Sequence, residues 1–507
     1  MVKGVLGCAI VLVLSIGIAG IVSAEPALTI YNQDFAVVRD TVNLDLKSGT
    51  NNVEFLGVTA HLEPDSVILR DPASRHNFQV VEQNYRADPV SQDLLLSLYE
   101  GKTIDFLVYR QDKTEIIQGK IIRSAYVPHW AAMRRYGQDY GMRQMAYVDP
   151  RYNQPIIEVD GKLRFQLPGL PLFPALADDT ILKPTINWII YSKKAATFDA
   201  ELSYVSGGLN WEASYNIVAP EKGEILDLIG WVTIDNQSGK TFDNAKIKLM
   251  AGDISKIRPG EPRYEYDRLY KLSGSLEERG GLPVTEKTFD EYHLYNFNKS
   301  TTLHDRETKQ LEFINASGVK SQTVYVYDGL KIDSNRYRGW DPYAVRDNRE
   351  YGTESNTKVW VMREFANSKA NNLGMPIPKG RVRFYRRDDD RQLEFIGEDL
   401  IDHTPTDETI RFFTGNAFDV VGERRRTNYN LHSSENWLDE SFEIKLRNHK
   451  KEPVEIRVVE HLYRWDTWEI RQKSDDFIKK DSHTIEFNVK IPPGQEKTIT
   501  YLVHYSW

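Results

Sequence analysis

The chain has 507 residues, 65 basic against 73 acidic side chains for a net charge of −8, 40% hydrophobic residues and one cysteine. A length of this order suggests more than one domain and a core large enough to stand without staples. The near-average composition excludes overall disorder, and the mild acidity argues against a nucleic-acid binder, which would carry a basic face.

Residues 1–24 read as a secretory leader. Lys3 is the only charge, an apolar run follows from Val5 to Val22, and Val22-Ser23-Ala24 supplies small residues at the cleavage position. The alternative is a retained membrane anchor, because the run is about long enough to span a bilayer. Val5-Leu6-Gly7-Cys8 has the look of a lipobox, but no apolar region precedes Cys8. Cleavage removes the sole cysteine, so a mature chain starting at Glu25 has no disulfide, thiolate nucleophile or Cys-based metal site. The expected location is therefore outside the inner membrane, in the periplasm or beyond the cell.

Past the leader, period-two alternation dominates. In Phe442-Glu443-Ile444-Lys445-Leu446-Arg447 the apolar residues share one face and the charges the other, the pattern of a half-buried antiparallel strand. Similar runs occupy 42–46, 53–55, 104–108, 232–234, 382–384, 485–491 and 499–505, separated by turn signals such as Asp160-Gly161 and Pro492-Pro493-Gly494. The best helix runs from Asp88 to Gly101, with Asp88 as cap, Pro89 at the first position and Val90, Leu94 and Leu98 on one face. The predicted fold is all-β, with two or more antiparallel β-sandwich-like domains, long loops and little helix.

The domain reading is a leader (1–24), an N-terminal β-rich domain (25–190) and a C-terminal sandwich domain (191–507). A long polar loop is expected at 256–285. Within 125–153, Trp130, Met133, Tyr136 and Tyr140 fall at near-helical spacing among arginines. This insert either packs on its own domain or contacts a partner or a membrane surface. Two segments look alike: 231–249 and 441–460 each read strand, Asn-containing turn, strand, with Val232 and Ile234 matching Ile444 and Leu446. They are either a weak duplication or two generic hairpins.

Several stretches together resemble a secreted bacterial family named after mucoidy inhibitor A, whose C-terminal part is domain of unknown function forty-one thirty-nine. They are 202–215, with Gly207-Gly208-Leu209-Asn210-Trp211 inside it; Gly230-Trp231-Val232-Thr233; and Leu249-Met250-Ala251-Gly252-Asp253. Further on come Glu291-Tyr292-His293-Leu294-Tyr295, the run from Gly397 to Pro405, the run from Ala417 to Arg424, and Glu460-His461-Leu462. The resemblance implies an exported, β-rich protein and brings no catalytic or ligand residue with it. The chain departs from relatives that carry a long coiled coil in the N-terminal half, and 125–153 looks like an addition.

The densest polar cluster is Glu398, Asp399, Asp402, His403, Asp407 and Glu408. Carboxylates beside a histidine suit metal binding or acid–base work, but the spacing matches no zinc motif, and Thr404-Pro405 points to a structural turn. Asp388-Asp389-Asp390 reads as a solvated hairpin tip. Trp211 after Gly207-Gly208 is either a stacking plate for a sugar or a core anchor. The ligand-binding candidates are thus Glu398, Asp399, Asp402, His403, Asp419 and Trp211, with no catalytic residue, metal or cofactor assigned. The pairs Glu291/His293 and Glu460/His461 read as satisfied histidines. The strand Ile499, Tyr501, Val503, Tyr505 ends on Trp507 like an outer-membrane barrel strand, but charged outward faces upstream argue against a barrel.

The functional expectation is an exported, non-enzymatic scaffold or interaction module of the cell envelope. Its partner would be an envelope protein or polysaccharide, not nucleic acid, with membrane contact through 125–153. The alternative is a carboxylate- or metal-dependent hydrolase acting on envelope polysaccharide.

Overall fold

A computed structural model describes residues 25–86, 90–110, 113–125, 154–176, 180–252, 254–256, 284–289, 292–332 and 336–507. The leader, residues 126–153 of the insert, Glu291 and most of the expected 256–285 loop lie outside the described residues. The fold is all-β: five sheets carry nearly all the regular structure, and two short α-helices, Gln92–Leu98 and Pro342–Asp347, are found among the described residues. Every alternating run named from the sequence falls within a strand. The first helix begins later than expected. Ser91 caps it, its Oγ accepting from Leu94 N at 3.1 Å, while the expected cap Asp88 and Pro89 lie outside the described residues.

One order of pairings occurs twice. In the first unit Ala27–Tyr31 pairs antiparallel with Phe35–Leu46 and parallel with Phe242–Ala251. In the second, Gln322–Asp328 pairs antiparallel with Lys358–Ala366 and parallel with Val454–His461. Phe35–Leu46 then joins Ala196–Gly207, as Lys358–Ala366 joins the first half of Thr409–His432. Leu209–Ala219 pairs with Ile225–Asn236, and the second half of Thr409–His432 with Trp437–Asn448. Finally, Glu307–Lys320 and Glu496–Ser506 flank Ile225–Asn236 and Trp437–Asn448 respectively, while Thr301–Leu303 and Thr484–Ile491 pair with Phe242–Ala251 and Val454–His461.

The two look-alike segments sit at equivalent places in these units, but they are not hairpins. Ile225–Asn236 and Phe242–Ala251 belong to different sheets, and Trp437–Asn448 is not paired with Val454–His461. Each segment is a crossing, pinned by its asparagine. Asn236 donates through Nδ2 to the carbonyls of Lys240 (2.8 Å) and His304 (2.9 Å), and its Oδ1 accepts from Ser238 N at 3.1 Å. Asn448 repeats the pattern: Nδ2 donates to Glu452 O (2.9 Å) and Ile491 O (3.1 Å), and Oδ1 accepts from Lys450 N at 3.0 Å. Both side chains are buried. A chain that leaves its strand strands peptide groups without ladder partners, and a carboxamide supplies donors and an acceptor on one short stem.

The units differ where the third strand passes between sheets. In the first it breaks at Gly208, which takes φ +76°, and a Cβ there would meet Gln237 O. In the second, Thr409–His432 runs through as one strand of 24 residues, with register shifts in its pairing to Lys358–Ala366. This strand bridges two cores: Ile410 and Phe412 pack in the large core, which also holds Trp188, Trp211 and Tyr215, and Val420 packs in the core of the second unit.

Both units carry an insertion between their second and third strands. The first holds the three-stranded sheet Gly49–Leu56, Thr185–Ser192, Phe78–Arg86 and a five-stranded sheet whose small core includes Leu96, Phe106 and Ile157. The second holds the hairpin Gly380–Arg387, Leu393–Ile401, which pairs parallel onto Leu209–Ala219 and so completes a sheet of the first unit. Strands from both sides of residue 190 therefore share sheets, as in Phe35–Leu46 with Ala196–Gly207.

Candidate functional site: buried ion pairs beneath an aromatic shelf

The residues singled out from the sequence take separate tasks. Glu398 lies on the outer face of the Leu393–Ile401 strand and points toward Arg383 (3.5 Å) and Arg381 (3.7 Å). Asp399 accepts from Phe413 N at 2.7 Å, tying its strand to the next. Asp402 accepts from His403 N at 2.8 Å, and His403 Nδ1 accepts from Lys379 N at 3.2 Å. The turn that follows is held by Asn367, whose Nδ2 donates to Met375 O and Pro405 O, both at 2.9 Å. Asp407 N and Glu408 O pair with the Asn367 backbone. Asp419 is exposed on the long strand. Trp211 is 2% exposed and donates from Nε1 to Met250 O, so its ring is not offered to a ligand.

Among the described residues, only Asp388, Asp389 and Asp390 bring three potential ligand atoms within 4.8 Å of one another. They sit exposed at a hairpin tip, as expected for a solvated acidic turn.

The most deeply buried charges lie elsewhere, in the second unit. Arg424 and Glu460 are 1% and 0% exposed at the side chain, and Arg424 Nε lies 2.9 Å and 3.0 Å from the two carboxylate oxygens. Tyr501 donates its hydroxyl to the same carboxylate, and Arg424 Nη1 donates to Gly352 O at 2.9 Å. The ring of Phe442 lies 4.1 Å from the guanidinium, a cation–π contact that partly replaces lost water. Burial works against the charge on Arg424, but Glu460 beside it holds the guanidinium protonated beyond its ordinary range. Burial pushes the Tyr501 phenol well up, with Glu460 adding to the effect.

A second pair lies alongside. Arg464 and Glu440 are both 0% exposed, with Nη2 and Nε at 2.9 Å and 3.1 Å from the carboxylate, and Arg426 reaches the same Glu440 at 3.1 Å. The rest of the Arg464 fork donates to main-chain carbonyls: Val345 (2.6 Å), Asn348 (2.7 Å) and Tyr351 (3.0 Å). These carbonyls belong to the helix Pro342–Asp347 and the segment after it. A cation at a helix C-terminus meets the negative end of the dipole and satisfies carbonyls that no helical N–H can reach. The segment linking the first two strands of the second unit is thus clamped down by a buried arginine. In the first unit the same link spans only the residues between Tyr31 and Phe35.

The clamped segment carries an aromatic shelf. Arg346 lies 4.0 Å from the ring of Trp507 and 5.2 Å from those of Trp465 and Tyr343. Tyr343 packs on Trp465 at 5.8 Å, and Trp465 on Trp507 at 6.2 Å. Tyr337 contacts Trp340 edge-on at 5.0 Å. Tyr343 stays 61% exposed and Trp340 38%, although the segment beneath them is held by buried bonds. Arg346 is further fixed by Asp347 at 2.6 Å.

Sequence reasoning passed over this site because its charges sit at positions where alternation demands apolar side chains. The signal was present: the stretches ending at Arg424 and beginning at Glu460 are two of the motifs that carried the family resemblance, and they meet in this ion pair.

Repeated strand units, asparagine-pinned crossings and internal ion pairs define a β-sandwich-type protein with little helix. The chain matches the family model described as Domain of unknown function (DUF4139) over residues 200–507, which is most of its length, and it belongs to that family. Neither a curated protein nor a solved structure matches it.

Proposed function

We propose that this is an exported cell-envelope protein that works by binding, as a scaffold or interaction module, and that the aromatic shelf is its contact surface for a partner protein. The observation that carries the reading is the pairing of exposed Tyr343 and Trp340 with a base fixed by Arg464. Interfaces concentrate their binding energy in Trp, Tyr and Arg, the residue types gathered here. Rings already held in place lose little conformational freedom on docking. Export is supported by the leader read at 1–24.

The test is site-specific photo-crosslinking in the producing bacterium. A photoreactive residue at position 343 is expected to yield one discrete adduct with an envelope protein. Trp340→Ala is expected to remove it while the protein stays folded. Absence of any adduct, or recovery of the protein from the cytosol, overturns the reading. The hydrolase alternative is decided by turnover on envelope polysaccharide: activity lost in an Asp402→Asn, His403→Ala variant would replace the binding reading.

A further inference from the structure

The three-stranded sheet of the first insertion has two unlike faces. One is core: Ile186, Trp188 and Ile190 are at most 1% exposed and pack into the large core with Val53 and Phe55. The other is a polar concavity of 430 Å³. Register fixes what lines it. Glu54, Asn187 and Asn84 stand side by side across the three strands, and Asn52, Ile189 and Glu82 form the next row. A register shift in the pairing to Phe78–Arg86 falls between Ile189 and Ile190, beside this row, the kind of irregularity that bends a strand. Tyr191, 44% exposed, follows Ile189 at two-residue spacing on the same face.

The chemistry of this hollow is one of hydrogen-bond acceptors and amides. Glu54 and Glu82 can only accept when ionised, and the amides of Asn52, Asn84 and Asn187 both accept and donate. Asn84 donates to Glu82 at 2.6 Å, which leaves the remaining carboxylate lone pairs open to outside donors. Asn187 lines the hollow, and its Oδ1 is buried with no donor among the described residues. A buried acceptor left without a donor is costly in a folded protein unless something supplies one. The carboxylates stand on the two outer strands with the central strand between them, which suits an extended ligand better than a single ion. The volume is within the range of small-molecule sites.

We infer that this sheet face binds a neutral, hydroxyl-rich oligosaccharide, with Glu54 and Glu82 accepting from sugar hydroxyls, the amides of the three asparagines bonding to the same chain and Tyr191 flanking it. Two carboxylates on the face repel a uronate polymer, so an acidic glycan is excluded by charge. The site is separate from the aromatic shelf and does not depend on the partner-protein reading.

The experiment is calorimetric titration of the chain from Glu25 with cellohexaose, N-acetylated chitohexaose and hexamannuronate. At least one of the two neutral oligomers is expected to bind, with hexamannuronate at least about tenfold weaker. Glu54→Gln with Glu82→Gln, both at exposed strand positions and close in shape, is expected to weaken neutral-glycan binding about tenfold and to narrow the gap to hexamannuronate. Asn187→Leu is expected to abolish binding, and the double Gln variant, being isosteric, keeps the test valid if the Leu variant unfolds. Binding of neither neutral oligomer, equal binding of hexamannuronate, or undiminished binding by the double Gln variant overturns the inference.

Discussion

The two units build one strand order from different interiors. Val232 and Ile444 stand at the same distance before their crossing asparagines and pair with Ala213 and Arg424 respectively. One turn of the pattern earlier, Leu228 pairs with Ile217, and Glu440 with Tyr429. Where the first unit fills its core with Ala213 and Leu228, the second places Arg424 and Glu440, both at most 4% exposed. The order of pairings therefore does not dictate what lies inside it. What the second unit gains from charge is a set of anchor points: Arg464 and Arg424 bind the carbonyls of the 345–352 segment, which an apolar side chain could not hold.

Removing one charge from the second unit should have the greatest effect. Glu460→Gln leaves Arg424 buried without its counter-ion and should cost about 3–5 kcal/mol, read as a lower denaturant midpoint. Converting the pair to apolar residues, Arg424→Met with Glu460→Leu, should restore much of that loss, because the first unit runs on such residues. The price is the anchor: the 345–352 segment should then become more open to proteolysis than in the parent protein. A double variant that is as damaged as the sum of both single variants would show that the charges themselves hold the sandwich together.

A smaller and more symmetric effect is expected at the crossings. Asn236→Ala and Asn448→Ala each remove three or more bonds to buried peptide groups, so each should cost about 2–4 kcal/mol. Near-equal losses would support one shared device; a loss confined to one unit would make the likeness of 231–249 and 441–460 incidental. Asn→Asp at either site should behave like Ala, since the carboxylate cannot donate to the carbonyls it would face.

How far these features were legible follows from the same residues. Alternation located the strands, because a strand with one wet face must alternate. The match of Val232 and Ile234 with Ile444 and Leu446 was real, but the segments read as hairpins because a strand–turn–strand pattern is the same whether the second strand folds back or crosses over. The pairing of Ala27–Tyr31 with Phe242–Ala251 spans over two hundred residues and leaves no local trace. At 398–408, Thr404-Pro405 announced a turn, yet nothing adjacent pointed to Asn367 as the residue that holds it. The polar hollow at Asn187 stayed hidden for a related reason. Its residues come from three strands far apart in sequence, and on each strand they read as ordinary solvent-facing positions. Arg424 and Glu460 show the opposite failure, being charges where the pattern called for apolar residues.

The smallest expected effect concerns a histidine–carboxylate tie in the second unit. His461 Nε2 lies 2.9 Å from Asp328 Oδ2, joining the parallel strands Val454–His461 and Gln322–Asp328. The hydrogen bond to Asp328 raises the imidazole above its ordinary value of 6.5, against the opposing effect of burial. A histidine with a raised value in the folded state stabilises fully below its unfolded value, and that contribution fades as pH rises through the folded one. The difference in melting temperature between the parent and His461→Gln should therefore be largest near about pH 6 and shrink toward about pH 8. The ring is more than a third exposed, so the shift should be modest and should weaken with salt. A difference that grows with pH would mean that the neutral ring, not the ion pair, is what joins these strands. The first unit, where Tyr31 ends the equivalent strand, would then lose its contrast with the second at this position.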